Sequence, residues 1–453
     1  MAEAPLELAE RALSYADGDA QVTVVHERSL SSRFARSAPT QATSVDDTTV
    51  EIACLRDGHT GAATTNRVDE GSLRAAARRA DTVARAAARA GPGDHPGLPE
   101  PAPATPAAGW DEATAELDPA RGAEALRAAF AGAGAAGLEA FGLWTTGAVR
   151  TAIATSSGVR ATDDVTDAFM KVVLRDADGR SGYAAETAGS VGELDPVALT
   201  ERARRRAPRE DGVALGPGEY TVVLSADAVG VLLEFAGYLA FNGLAHVEGR
   251  GALSDRLGTT VAAPVIDLRD TPAFPRTLPR AYDAEGVPKR SVALIEGGVA
   301  GAVVHDLRSA AETGDGARST GHAVELGSAH GPVPTNLVLA GGGAADEEAL
   351  AAPVERGIYV TRLWYVNVVH ERHTLLTGMT RDGTFLIEDG KIGPPVRDVR
   401  FTDSVLRILE ATEDLTAAQR LVSEGEFYGR RFANGVVCPA LRAHGFRVTG
   451  ATR

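Results

Sequence analysis

The chain has 453 residues, 44% of them apolar and 24% charged, enough for several packed domains and too apolar for disorder. Its net charge of -15 argues against a nucleic-acid-binding surface, which needs a basic stripe to neutralise phosphates. Two cysteines far apart, Cys54 and Cys438, give neither a disulfide framework nor a cysteine-based zinc knuckle.

The N-terminal MAEAPLELAERALSYADG is acidic and amphipathic and has no apolar signal core; Leu6, Leu8, Ala9 and Leu13 are spaced for a short helix. No apolar run approaches bilayer length, so a soluble, cytoplasmic protein with no membrane partner is expected. Extended stretches follow, QVTVVHERSLSSRFA and TTVEIACLRDGHTGAATT, and Asp57-Gly58 in the second predicts a β-hairpin. Residues 71–90 are rich in Ala and Arg and predict a helix with a serine cap. Six prolines within 91–108 can neither continue a helix nor join a sheet interior, and predict a linker.

A second block, 109–212, reads as a helix near 119–134, a strand pair over 138–187 and a helix near 196–207. The last carries Arg202, Arg204, Arg205, Arg206 and Arg209, a charge run expected to face solvent. DGVALGPG at 211–218 reads as a second linker. The third block, 216–449, opens with the strand EYTVVLS and a helix near 226–240, then turns β-rich, with IYVTRLWYVNVVHE read as one apolar strand. The fold class is α+β: N-terminal α/β domains at 1–90 and 109–212, followed by a large β-rich C-terminal domain at 216–449.

Obvious catalytic patterns fail on spacing. VVHER occurs at 24–28 and again at 368–372, where it sets His370 and His373 around Glu371. On a continuing strand, residues three apart face opposite ways, so the pair is not expected to share a metal ion. The two copies are followed by unrelated residues and do not define a repeat. AGGGAADEE at 340–348 lacks the lysine and hydroxyl of a phosphate loop, and there is no G-x-S-x-G elbow. His246 with Glu248, in LAHVEGRG, is the most suggestive remaining pair.

Several stretches in order resemble the TldD/PmbA (TldE) family of metallopeptidases and their paired subunits. They are RFARSAPTQ, VEIACLRDGHTGAATTNRVDEGSLRAAARRA, GPGEYTVVLSADAVGVLL, RAYDAEGVPKR, STGHA, TGMTRDGTFLIEDGKIGPPV and NGVVCPALR. Together they run almost the length of the chain. The resemblance implies a zinc-binding HExxxH on the helix after EYTVVLS, completed by a cysteine near the C-terminus, where Cys438 stands. Here the shared Leu232-Leu233 places Glu234, Phe235 and Leu239 where His, Glu and His should be. The departure implies the TldE-type subunit: no metal in this chain, zinc in a TldD-like metallopeptidase partner, and an unfolded or small peptide as substrate. A homo-oligomer is also compatible. His246, Glu248, Arg381, Asp382 and Cys438 are the cleft candidates. One rival reading is an active metallopeptidase whose rearranged site uses Cys438, His246 and Glu248. Another is a peptide-binding or assembly protein with no catalysis.

Overall fold

The computed structural model describes residues 3–314, 316–423 and 430–451. The α+β class holds, with a large β-rich C-terminal portion. Among the described residues two sheets carry the fold, one six-stranded and one of thirteen strands.

The smaller sheet is built from β1 (Ala20–Ala35), β2 (Ala38–Arg56), β3 (His59–Thr65), β4 (Glu139–Thr155), β5 (Arg160–Arg175) and β6 (Ser181–Ala188), in the order β3-β2-β1-β4-β5-β6. Strands from both sides of the proline-rich segment therefore lie in one sheet, because β1 pairs antiparallel with β4 along fourteen residues of each. Asp57 (φ 47°) and Gly58 (φ 76°) close the β2–β3 hairpin between Arg56 and His59, the turn their sequence predicts. The region 138–187 holds three strands rather than a pair.

Side-chain alternation sorts the two faces of this sheet. Val22 and Val24 of β1, Ile52 of β2 and Ala152 of β4 pack on α1 (Pro5–Leu13) and α2 (Glu70–Ala88). The cap of α2 is Asp69, which accepts Ser72 N–H at 3.0 Å, and not the serine. A short helix, α3 (Glu112–Ala115), leads into α4 (Pro119–Ala135); with α5 (Pro196–Arg206), α4 covers Trp144 and Met170 farther along the same face. The alternate residues of β1, β4 and β5 point the other way, toward the C-terminal portion. The sheet is thus covered on both faces over much of its length, while the start of β2, residues 38–44, is exposed.

The larger sheet is organised by the long C-terminal strand Val436–Ala451. It lies beside β7 (Gly218–Leu224) on one side and beside Leu337–Leu339 on the other. β7 in turn runs parallel to Arg356–Val360. Helix α6 (Ala226–Leu239) crosses this sheet, burying Val229, Leu232, Leu233 and Ala236 against Val222 and Leu441. Asp389 (φ 48°) and Gly390 (φ 76°) make a hairpin turn between Glu388 and Lys391. Asp382-Gly383 does not: the strands before and after it pair with other partners, so it is a corner. The predicted single strand through 358–371 is two, Arg356–Val360 and Leu363–His370, broken at Thr361-Arg362.

The proline-rich segment is held down. Asp94 pairs with Arg308 at 2.5 Å, Pro99 O accepts Ser157 Oγ at 2.6 Å, and His95 sits against Glu285. Among the described residues, no helix is long and apolar enough to cross a membrane.

The two portions are locked by Arg431. It forms a bidentate pair with Asp167 of β5 (2.7 and 2.6 Å) and donates to Thr145 Oγ1 of β4 at 3.0 Å, with both charged side chains 3% exposed. A Cβ on Gly147 would fall 2.3 Å from Arg431 Nε. Arg431→Ala should cost about 3–5 kcal/mol, because it strands a buried carboxylate. Gly147→Ala should destabilise by displacing the same guanidinium. Denaturant melts of both variants check this, and an unchanged midpoint in Arg431→Ala would remove the lock from the account.

Candidate functional site

Helix α6 is fixed at its first turn. Asp227, fully buried, accepts Arg206 Nη1 from α5 at 2.9 Å and lies 3.5 Å from Arg420 Nη1. Burial pushes its carboxyl up, but Arg420, then Arg206 and Arg202, outweigh burial and hold it below the usual range. The arginine run of α5 is therefore not wholly solvated. Arg206 points inward and is 8% exposed, while Arg204 stays outside with Glu201. Ser225, ahead of the helix, donates to Thr361 O at 2.7 Å.

The three motif positions diverge from there. Glu234 looks into a small cavity beside Asp227, Arg362 and Val422. Phe235 packs on the main core. Leu239 is buried and lines a different, larger cavity with Tyr238. Positions five apart on a regular helix lie about 140° apart around the axis, which agrees with the two separate cavities.

The remaining candidates do not converge. His246 lies on the short helix Gly243–Val247 with Nδ1 buried and without a partner among the described residues, and burial lowers its pKa against the hydrogen bond to the Leu253 backbone. Glu248 is exposed and paired with Arg250 at 2.6 Å. Cys438 is fully buried and its thiol donates to Ala226 O at 3.3 Å; burial, then Asp227, push that thiol far up, so it stays protonated. Asp382 is a joint between the two portions: it accepts Arg362 Nη1 at 2.8 Å and Ser181 Oγ of β6 at 2.6 Å. Arg381 is beside it, half-exposed over Trp364.

The HERH turn lies where the sequence did not suggest. The strand stops at His370 and the chain turns, with Thr374 at φ 46°. Alternation then no longer applies. The His370 and His373 rings meet with centroids 4.4 Å apart, a correction to the expectation that they face apart. Arg372 donates to Gly249 O at 2.8 Å, and Glu371 sits 3.6 Å from Arg250 on the wall of the larger cavity.

That cavity encloses about 630 Å³ and is lined by Tyr238, Leu239, Asn242, Arg250, His330, Glu371, Arg430 and Phe432 among others. A smaller cavity of about 70 Å³ adjoins it; both touch Val324, Thr335, Arg430 and Phe432. Its far wall carries Asp163, Arg280, Asp283, Lys289 and His322. Behind it, Asp270 is held well below the usual range: burial opposes this, but Lys289, then His322 and the Asn336 N–H outweigh it. Local sequence reading missed these residues. RAYDAEGVPKR carries five charged residues, three of them on this wall, yet no spacing in it matches a known ligand pattern.

Residues 217–450 match the PmbA/TldA metallopeptidase C-terminal domain, and residues 20–88 match the PmbA/TldA metallopeptidase domain 1. The chain belongs to the PmbA/TldD family. A metalloprotease from Methanothermobacter thermautotrophicus is 26% identical over 209 residues, and the match spans 45% of this chain and 44% of that one. The fold is that of TldE from Thermococcus kodakarensis, with a TM-score of 0.83 at 20% identity over 99% of this chain and 100% of that one. A protein described as a modulator of a DNA gyrase from Thermotoga maritima gives the same score and identity over 98% and 99%. A metallopeptidase family implies a metal ion. The positions that the resemblance gives to the metal motif do not fit one: Phe235 and Leu239 carry no donor atom, and Glu234 lines a different cavity from Leu239.

The loop that holds the smaller cavity is pH-sensitive. Burial, then the Asp306 charge, push Glu285 up to about 8, and burial with Glu285 pushes Asp283 to about 8. His95, lowered by burial, faces Glu285 at 3.6 Å, so at neutral pH the two meet uncharged. An unfolded glutamate titrates near 4.3, so the folded chain keeps a proton that the unfolded chain has released. That contribution is complete below about pH 4 and drains away as pH rises to about 8. Wild type should therefore lose stability relative to Glu285→Gln by up to about 1.4 kcal/mol per pH unit between about pH 5 and 8. Denaturant melts across that range measure it; a flat difference would make Glu285 an ordinary carboxylate.

Proposed function

We propose that this chain serves peptide proteolysis or maturation as a subunit without its own metal centre, paired with a family member that carries HExxxH and zinc. The observation that carries the reading is helix α6. By the family resemblance it carries Glu234, Phe235 and Leu239 where the two zinc ligands and the general base are expected. Neither the base nor a pair of neutral imidazoles is available there.

Two further features support a peptide as the bound species. The cavity beside Leu239, about 630 Å³, has room for a peptide segment and mixes apolar walls with Arg250, Glu371 and His330. The strand Leu363–His370 lies at a sheet edge and exposes Tyr365, Val368 and Val369, a surface suited to strand pairing with a subunit or an extended peptide.

The test is reconstitution. The chain purified alone should hold no stoichiometric zinc and cleave no peptide, and Cys438→Ala should leave both results unchanged. Peptidase activity should appear when the HExxxH homologue is added, above that of the homologue by itself. Tight zinc that is lost in Cys438→Ala would sink the reading in favour of a rearranged metal site. A stable complex that never cleaves would favour an assembly protein.

A further inference from the structure

The smaller cavity sits at the end of the larger one and is walled by both halves of the molecule: Thr23 and Val25 of β1, Thr151 of β4 and Asp163 of β5 face Arg280 and Lys289. Its polar groups are underused. The Lys289 side chain is 2% exposed, and among the described residues it makes one hydrogen bond, donating to Thr335 Oγ1 at 2.8 Å. The closest carboxylate oxygen, on Asp270, is 3.8 Å away and beyond hydrogen-bond reach. An ammonium has three donors, so two remain unspent. Arg280 lies over the Phe432 ring at 4.2 Å and donates from Nη2 to Ala433 O, leaving Nε without a partner. Asp163 accepts Ala281 N–H on Oδ1 and leaves Oδ2 bare.

The charge on the wall is mixed. Arg280 and Lys289 line the cavity as buried cations, with Asp270 3.8 Å from Lys289; Arg430 is exposed, and Arg431 is consumed by Asp167. Of the two carboxyls, Asp283 accepts backbone N–H from Glu285, Val287 and Ala323 and is pushed up to about 8, so it contributes little negative charge at neutral pH. Asp163 remains. The unspent donors of the buried Lys289 and Arg280 select an acceptor group such as a carboxylate, and the bare carboxylate oxygen of Asp163 selects an N–H beside it.

We propose that this pocket receives the C-terminal carboxylate of a peptide whose preceding residues lie in the larger cavity. The proposal rests on the peptide reading above. Carboxylate oxygens take the free donors of Lys289 and Arg280, and the last amide N–H of the peptide reaches Asp163 Oδ2. The volume of about 70 Å³ and the apolar Val25, Val149 and Ile153 limit the terminal side chain to a small apolar one.

Binding of N-terminally labelled pentapeptides ending in alanine to the full chain, followed by fluorescence anisotropy, tests this. The free acid should bind about ten- to hundred-fold more tightly than the same peptide with a C-terminal amide. Lys289→Met should erase the difference while Arg372→Ala, on the exposed HERH turn and outside both cavity linings, keeps it. The wild-type comparison stands alone if Lys289→Met does not fold. Equal binding of acid and amide would overturn the pocket and leave the peptide reading intact. Binding of neither peptide would remove both.

Discussion

A buried carboxylate has to find a cation, and Asp167 finds one that belongs to the other half of the molecule. The six-stranded sheet has helices on one face and the C-terminal portion on the other, so Asp167, on its second face, is kept from water. It is paired with Arg431, and two more buried pairs lie nearby: Asp227 with Arg206, and Asp382 with Arg362 while Ser181 reaches across from β6. Such pairs add little net stability, since desolvation offsets most of the attraction, but losing one partner is costly. They therefore act as a docking code. Each fixes where a particular strand or helix meets its neighbour.

The consequence for α6 is direct. Its first turn is tied to α5 through Asp227, its side packs against Val422 across Gly230, and its last turn faces the larger cavity. The helix has little freedom to rotate. Glu234 and Leu239 stay on separate cavities because the anchor at Asp227 sets the phase of everything after it. A change in the chemistry of this helix has to come from its residues, since its orientation is already decided by charges elsewhere.

Local rules carried far into this fold where the cause was local. Asp57-Gly58 and Asp389-Gly390 adopt positive φ and turn as their types require. The helices at 5, 70, 119, 196 and 226 begin close to where spacing and caps put them. Rules failed where a distant partner decided. The arginine run of α5 looked solvated until Asp227, from another domain, drew Arg206 inward. The strand through HERH was expected to continue, but it stopped where Arg372 docks on Gly249, and the two histidines came together. The cavity wall was the least legible part. Asp163, Arg280, Lys289 and Thr335 come from segments that no short pattern links, and only the docking of the two halves makes them neighbours.

The charge distribution argues for recognition over chemistry at this place. The chain as a whole carries -15, yet the inner cavity keeps unspent donors on two buried cations, Lys289 and Arg280. Cations kept from water interact with an incoming anion more strongly than surface charges do, because little solvent screens them. The acidic exterior would repel free anions at long range and so disfavours small inorganic ions as the natural occupant. A peptide avoids this conflict: its apolar and neutral length lies in the larger cavity, and only its end is charged. The arrangement suits the proposed pocket, which holds a chain by its terminus.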